Sequence, residues 1–229
     1  MTRHDGDASS LQRDPYGARG GFALDREWLS TWVDDRHLTH DLAVDVAPDC
    51  PIVIHEFLRQ PIAERARAFL RDEVDCRIVS DPLYQFHVIA GLRPEARIGS
   101  NLVTYLKLRK ALSDPRFAAF IEQQIGIGLG PGNFDAHLML GGDFLAPHTD
   151  AIDDRSVAAV LFLSPEWPPS FGGALRIEAD RGECWTIEPR FNTFVAFDVT
   201  TGRTHAVDRV EAPVTSARLS ISGWFQRPR

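Results

Sequence analysis

From Asn133 onward, short apolar runs are separated by clusters of Gly, Pro, Asp and Asn. Runs of this length bounded by turn residues read as β-strands. The pattern predicts strands near Phe134–Leu140, Ser156–Leu163, Ala174–Glu178, Cys184–Ile187, Thr193–Phe197, His205–Val210 and Arg218–Phe225, with Gly172-Gly173 and Thr201-Gly202 as turns. Upstream, from Leu24 to about Ile127, the spacing of apolar positions is mainly helical. Asp25 is placed to cap a helix through Trp28, Leu29, Trp32 and Val33. Cys50–Leu58 reads as a strand entering a turn. Gln60–Val74 carries Ile62, Ala66, Phe69 and Leu70 on one helical face. Asn101–Leu112 and Pro115–Ile125 also read as helices, ended by the glycines of GIGLGPG at 126–132. Residues 1 to about 20 are nearly devoid of apolar groups and read as a flexible tail.

Many short strands after a helical segment predict a mainly β fold with N-terminal helices, a sandwich or jelly-roll core with helices on one face. The expected organisation is one domain over 21–229, with helical support at about 21–132 and the β core at about 133–226.

Composition narrows the function. The chain has 229 residues, 44% hydrophobic and 25% charged, which is ordinary for a soluble globular protein. Its longest clean apolar run, Val157–Leu163, is far too short to span a bilayer, and the N-terminus lacks the apolar stretch of a secretory signal. No membrane role is expected. The net charge is -7, and Lys107 and Lys110 are the only lysines. The arginines are scattered, so the basic face that nucleic acid requires is absent. Cys50, Cys76 and Cys184 are far apart and form no CxxC, which fits a reducing cytoplasm.

The candidate chemistry lies in the strand-rich half. His148 and Asp150 stand two residues apart in PHTD. On an extended segment such residues project from one face, so an imidazole and a carboxylate can bind one ion. His205, in RTHAV at the start of an expected strand, is a candidate third ligand. Two His and one carboxylate with open positions suit non-haem Fe(II), and similar ligands suit zinc. An HxD pair is also common by chance. Arg218, Ser220 and Ser222 alternate with Leu219, Ile221 and Gly223 in an apolar strand. A guanidinium pointing into a barrel needs an anion to offset its desolvation. A dicarboxylic cosubstrate would supply one, with Ser220 able to donate a second hydrogen bond. The alternative is an Arg218 that faces solvent and pairs with an acidic side chain.

HTD, then R-x-V-x-x-x-L-F-L (Arg155–Leu163), W-x-x-x-x-G-G-x-L (Trp167–Leu175), N-T-F-V-A-F, T-H-A-V and R-L-S-I-S-G-W-F together resemble the prolyl 4-hydroxylase-like branch of the Fe(II)/2-oxoglutarate dioxygenases. The resemblance covers about Asn133–Gln226. It implies a double-stranded β-helix core of jelly-roll type. It also implies Fe(II) held by His148, Asp150 and His205, 2-oxoglutarate anchored by Arg218 as cofactor-binding residue, and O2 as co-reactant. Many relatives carry a tyrosine where this chain has Met139. His137 and Asn133 are neighbouring substitutes for its contact, with a structural role favoured for both. Trp167, Phe171, Trp185, Trp224 and Phe225 read as packing residues, and Arg155 as ordering its loop through a carboxylate.

The implied reaction is hydroxylation of an unactivated C–H with decarboxylation of 2-oxoglutarate to succinate. Eukaryotic protein hydroxylases of similar texture carry a second domain, whereas this sequence ends four residues after Phe225. The expected substrate is therefore a small metabolite or amino-acid derivative. The alternatives are a protein (prolyl-type) side chain or, from other classes, a metal-dependent hydrolase or a non-catalytic jelly-roll binding protein.

Overall fold

The computed structural model describes residues 24–39, 50–152, 154–164, 166–179, 184–211, 213 and 215–228. The tail expected over residues 1 to about 20 lies outside the described residues.

Eleven strands form one antiparallel sheet that curls on itself. Its first half runs β1 (Ile52–Ile54), β9 (Thr193–Asp198), β6 (Arg155–Phe162), β11 (Arg218–Gln226) and β4 (Gly132–Met139). The order continues through β3 (Tyr84–Leu92), β5 (Phe144–His148), β10 (His205–Val207), β7 (Leu175–Glu178) and β8 (Cys184–Ile187). β2 (Val74–Asp81) pairs with β3 alone. β3 is the seam of the curl. Its residues His87 and Val88 pair with β4, and Tyr84 and Gln85 pair with β5. The result is the jelly-roll core expected from the sequence.

β6 and β9 are apolar on both faces because both faces are covered. Val157, Ala159, Leu161, Phe194, Ala196, Leu219, Ile221 and Phe225 belong to a core beneath the helices. Their alternates Ala158, Val160, Phe162, Val195 and Phe197 belong to a second core inside the curl. Period-two alternation thus separates the scaffold from the lining of a cavity. The helical side is knit by aromatic contacts, including Phe57 stacked on Phe194 at 4.6 Å and on edge to Phe117 at 5.9 Å.

The helices show local reasons for their limits. α5 (Pro115–Ile125) starts with Asp114 accepting from the Arg116 N–H, carries Pro in its first turn, and ends at Gly126 with φ 73°. α4 (Ser100–Leu112) matches its expected span. α3 (Gln60–Ala68) is shorter than expected: a π-turn at Phe69–Glu73 unwinds it into β2. Asp25 does cap α1 through the Trp28 N–H, but α1 is only Arg26–Leu29, and Val33 makes an isolated β-bridge to Leu58. α2 is Arg36–Thr39.

One expectation fails outright. Residues 74–92 form the β2–β3 hairpin rather than part of a helical half. Two runs rich in Val, Ile, Phe and Tyr flank Asp81-Pro82, and β pairing outweighs the helical neighbourhood. The buried Asp143 carboxylate pins this hairpin. It accepts from Gln85 Nε2 at 2.7 Å, His87 Nδ1 at 2.9 Å and the Leu140 N–H at 2.8 Å. Among the described residues no helix is long and apolar enough to cross a membrane.

Candidate active site

The inner core opens into a cavity of about 510 Å³ between the two halves of the sheet. His148, at the end of β5, and His205, at the start of β10, are directly opposed cross-strand partners. That register joins two histidines far apart in sequence. Asp150 lies just past β5, and its carboxylate reaches them. One ligand atom from each of His148, Asp150 and His205 lies within 4.8 Å of the others.

The chemistry of the donor set fits a divalent ion. His148 Nδ1 is 2.9 Å from the Ala146 carbonyl, so that nitrogen carries the proton and Nε2 keeps its lone pair. Nε2 is the nitrogen facing Asp150, at 3.9 Å from Oδ1. His205 Nε2 lies 3.2 Å from Asp150 Oδ2. Two imidazole nitrogens and one carboxylate oxygen thus lie close enough to share one ion, a donor set that would suit non-haem Fe(II).

Electrostatics keep the ligands in their binding forms. Burial alone would raise the Asp150 pKa, but hydrogen bonds from His205 and Trp224 outweigh it and hold the carboxyl below its usual range. Burial lowers the His148 pKa, and the nearby His205 lowers it further, although the Ala146 carbonyl opposes both. A charged aspartate and a neutral histidine are what a metal requires.

Asp150 is held from outside the triad. Arg155 Nη1 donates to Oδ1 at 2.7 Å, and Trp224 Nε1 donates to Oδ2 at 2.5 Å. The Arg155 guanidinium also lies 3.5 Å from the centre of the Trp224 ring. The carboxylate expected to anchor Arg155 is therefore Asp150 itself. Trp224, read from the sequence as packing, lines the cavity.

At the closed end of the cavity sits Arg218, 3% exposed. Its Nε donates to the Gly173 carbonyl at 2.8 Å, its Nη1 lies 3.6 Å from Met139 Sδ, and its cation sits 4.9 Å from the Phe162 ring centre. No carboxylate reaches it among the described residues. Burial pushes its pKa down to about 10, so it stays charged at neutral pH. Gly173, with φ 72°, makes room: an added Cβ would lie 3.0 Å from Arg218 Cδ. Ser220, one cross-strand row away, is buried in the same lining with its hydroxyl 3.4 Å from the His137 carbonyl. Met139, at the position where many relatives have tyrosine, packs against Arg218. His137 lines the cavity; Asn133 is exposed and does not.

Two cavity residues escaped the sequence reading because the hairpin did. Tyr84 and Phe86 stand on β3 with ring centres 5.4 Å apart and line the cavity with Leu145, Phe197 and Trp224. Their alternation flanking Gln85 was the available signal.

The 2OG-Fe(II) oxygenase superfamily model matches residues 134–226, the stretch that supplies the triad, Arg218 and most of the lining. Over that stretch the chain is similar to the 2OG-Fe(II) oxygenase superfamily. Within it, the likeness of this oxygenase is to prolyl hydroxylases. It is 34% identical over 139 residues to prolyl 3,4-dihydroxylase OGFOD1 of Ostreococcus tauri, covering 55% of this chain and 27% of that protein. It is 29% identical over 217 residues to mouse prolyl 3-hydroxylase OGFOD1, covering 90% of this chain and 38% of that one. A prolyl-4-hydroxylase crystal structure from Pseudomonas putida superposes with a TM-score of 0.60 at 27% identity, covering 83% of this chain and all of that one. The chain thus spans between about a quarter and two-fifths of these curated relatives' length. That likeness implies Fe(II), 2-oxoglutarate and O2, and makes His148, Asp150 and His205 the candidate iron site.

Proposed function

We infer that this oxygenase hydroxylates a prolyl-type side chain in a polypeptide, using Fe(II), 2-oxoglutarate and O2. The observation that carries the cosubstrate is Arg218. It is a guanidinium buried without a carboxylate among the described residues, in the cavity that also holds the triad. Such a cation is costly unless an anion joins it, and a dicarboxylate satisfies its planar fork.

His148, Asp150 and His205 bind the metal, and Arg218 fixes the far carboxylate of 2-oxoglutarate, with Ser220 beside it. Phe162 and Met139 keep water from that end. The bound iron supplies oxidative insertion of oxygen into an unactivated C–H bond, coupled to decarboxylation of 2-oxoglutarate to succinate. Arg155 and Trp224 hold Asp150 in one orientation. Tyr84, Phe86, Phe197 and Trp224 present aromatic surface in the cavity lining, where an apolar pyrrolidine ring can pack and be oriented.

This reading reverses the small-metabolite expectation. The two curated relatives and the Pseudomonas putida structure reported above are named as prolyl hydroxylases, which supports a protein side chain. The test is succinate release with Fe(II) and 2-oxoglutarate in the presence of proline-containing peptides or free amino acids, with product masses recorded. Peptides that stimulate release and gain one oxygen at proline support the proposal. Stimulation by free amino acids alone would return the assignment to a small metabolite.

A further inference from the structure

One polar group faces the cavity and has no task in the reaction as described. His137 lies on β4, directly opposite Ser220, on the same inner face as the Met139–Arg218 pair. Its Nδ1 is 2.8 Å from Ser222 Oγ, and Phe86 meets its ring edge-on at 5.2 Å. Two neighbours therefore fix the ring's direction. Its Nε2 has no partner among the described residues, and the side chain lines the cavity shared with Arg218 and the triad.

The protonation state follows from the surroundings. Burial lowers the His137 pKa, the nearby Asp135 opposes this, and Arg218 lowers it further. The ring is neutral at pH 7 and carries one N–H. Ser222 Oγ makes no other hydrogen bond among the described residues, so its proton can point at Nδ1. The ring proton then sits on Nε2, the nitrogen that no described residue engages. A ligand rich in acceptor oxygens selects that tautomer. A dicarboxylate extended from Arg218 toward the triad passes the row that holds Ser220 and His137.

We propose that His137 is a binding residue for 2-oxoglutarate, donating a hydrogen bond from Nε2–H to the cosubstrate while Ser222 sets the tautomer. This rests on the reading of Arg218 given above. A neutral donor suits the position, because a second cation beside Arg218 would be repelled by it, whereas an imidazole N–H adds direction without charge.

The test measures 2-oxoglutarate affinity by calorimetry on the full chain loaded with Mn(II), so that no turnover is needed. The variants are His137→Phe, His137→Leu, His137→Gln and Ser222→Ala, with Arg218→Ala as reference. His137→Phe should weaken binding roughly tenfold to a hundredfold, the value of a hydrogen bond to a charged group. His137→Leu carries the same test if the Phe variant does not fold. His137→Gln should recover part of the loss, because its amide can donate, and Ser222→Ala should show a smaller, several-fold loss. Mn(II) affinity without cosubstrate should not change in any His137 variant. Wild-type affinity in His137→Phe or His137→Leu, beside a large loss in Arg218→Ala, overturns the assignment of His137. A Gln variant as weak as the Phe variant also overturns it, since the loss would then come from packing. No 2-oxoglutarate binding by the wild type would instead remove the reading of Arg218.

Discussion

The two ends of the cavity each hold an arginine, and their surroundings differ. At the metal end, Arg155 is paired with Asp150 at 2.7 Å and lies over Trp224. At the closed end, Arg218 is buried against Met139, Phe162 and the Gly173 carbonyl with no carboxylate near it among the described residues. A guanidinium already satisfied by its own fold is scaffold, and here it holds a ligand in place. One that the fold buries without a counter-charge is built for something that arrives. The metal end is pre-assembled, and in the proposed reading the closed end is completed by the cosubstrate.

The strongest way to break this contrast is to remove a metal ligand. His148→Ala and His205→Ala should abolish turnover and weaken metal binding by more than about 100-fold, beyond what loss of an outer partner costs. The fold should persist, as measured by circular dichroism and metal titration. Either variant with wild-type iron-dependent turnover would remove that residue from the triad.

Next in size is Arg218→Ala. Breaking a buried charge contact costs about 2–5 kcal/mol, so the 2-oxoglutarate affinity should fall by roughly 30-fold to several thousand-fold. Arg218→Lys should be intermediate, because the charge survives and the fork does not. Titration with the cosubstrate decides the matter, and an unchanged affinity in Arg218→Ala would erase the distinction between the two ends.

A smaller effect should follow from Gly173→Ala. The new Cβ meets Arg218 Cδ at 3.0 Å, and the backbone at φ 72° disfavours any side chain. Strain of about 1–3 kcal/mol should appear in thermal unfolding, with a weaker response to 2-oxoglutarate. Loss of stability without any change in that response would show that the turn does not aim the guanidinium.

The smallest predicted effect is acid sensitivity near the closed end. Burial holds the His137 pKa below its ordinary value. Above about pH 6.5 the ring is neutral in both folded and unfolded chains. As pH falls through that value, the unfolded chain takes up a proton that the folded one refuses, so stability is lost toward acid. The melting temperature of the wild type should therefore drop more between about pH 7 and pH 5 than that of His137→Gln. Parallel drops would contradict a neutral His137.

The β core was legible because its signal is local. Strands such as β6 and β11 announce themselves as apolar runs between turn residues, and the alternation of Arg218, Ser220 and Ser222 marked an inner face before any partner was known. Trp224 continues that alternation, yet its bulk and apolar neighbours favoured a packing role. What makes it a site residue is one hydrogen bond to Asp150, which no spacing rule reveals. The β2–β3 hairpin was hidden for another reason. Asp81-Pro82 is a turn signal, but it sits in a half whose other segments are helical, and pairing with β4 and β5 is a long-range fact. Tyr84 and Phe86 were lost with it. The meeting of His148 and His205 likewise depends on register between β5 and β10, which composition does not encode.

β11 lies between β6 and β4 at the centre of its half of the sheet, although it stands at the far end of the sequence. On a ribosome, β4 and β6 must therefore wait with facing edges unpaired until residues 218–226 emerge. Arg218, Ser220 and Trp224 arrive together on that strand, so the cavity's cation, its hydroxyl and the indole that grips Asp150 are installed in one late step. A nascent chain stalled before β11 would expose two apolar strand edges and would have no means of recruiting 2-oxoglutarate, which makes this insertion the point at which chaperone dependence and acquisition of activity should coincide.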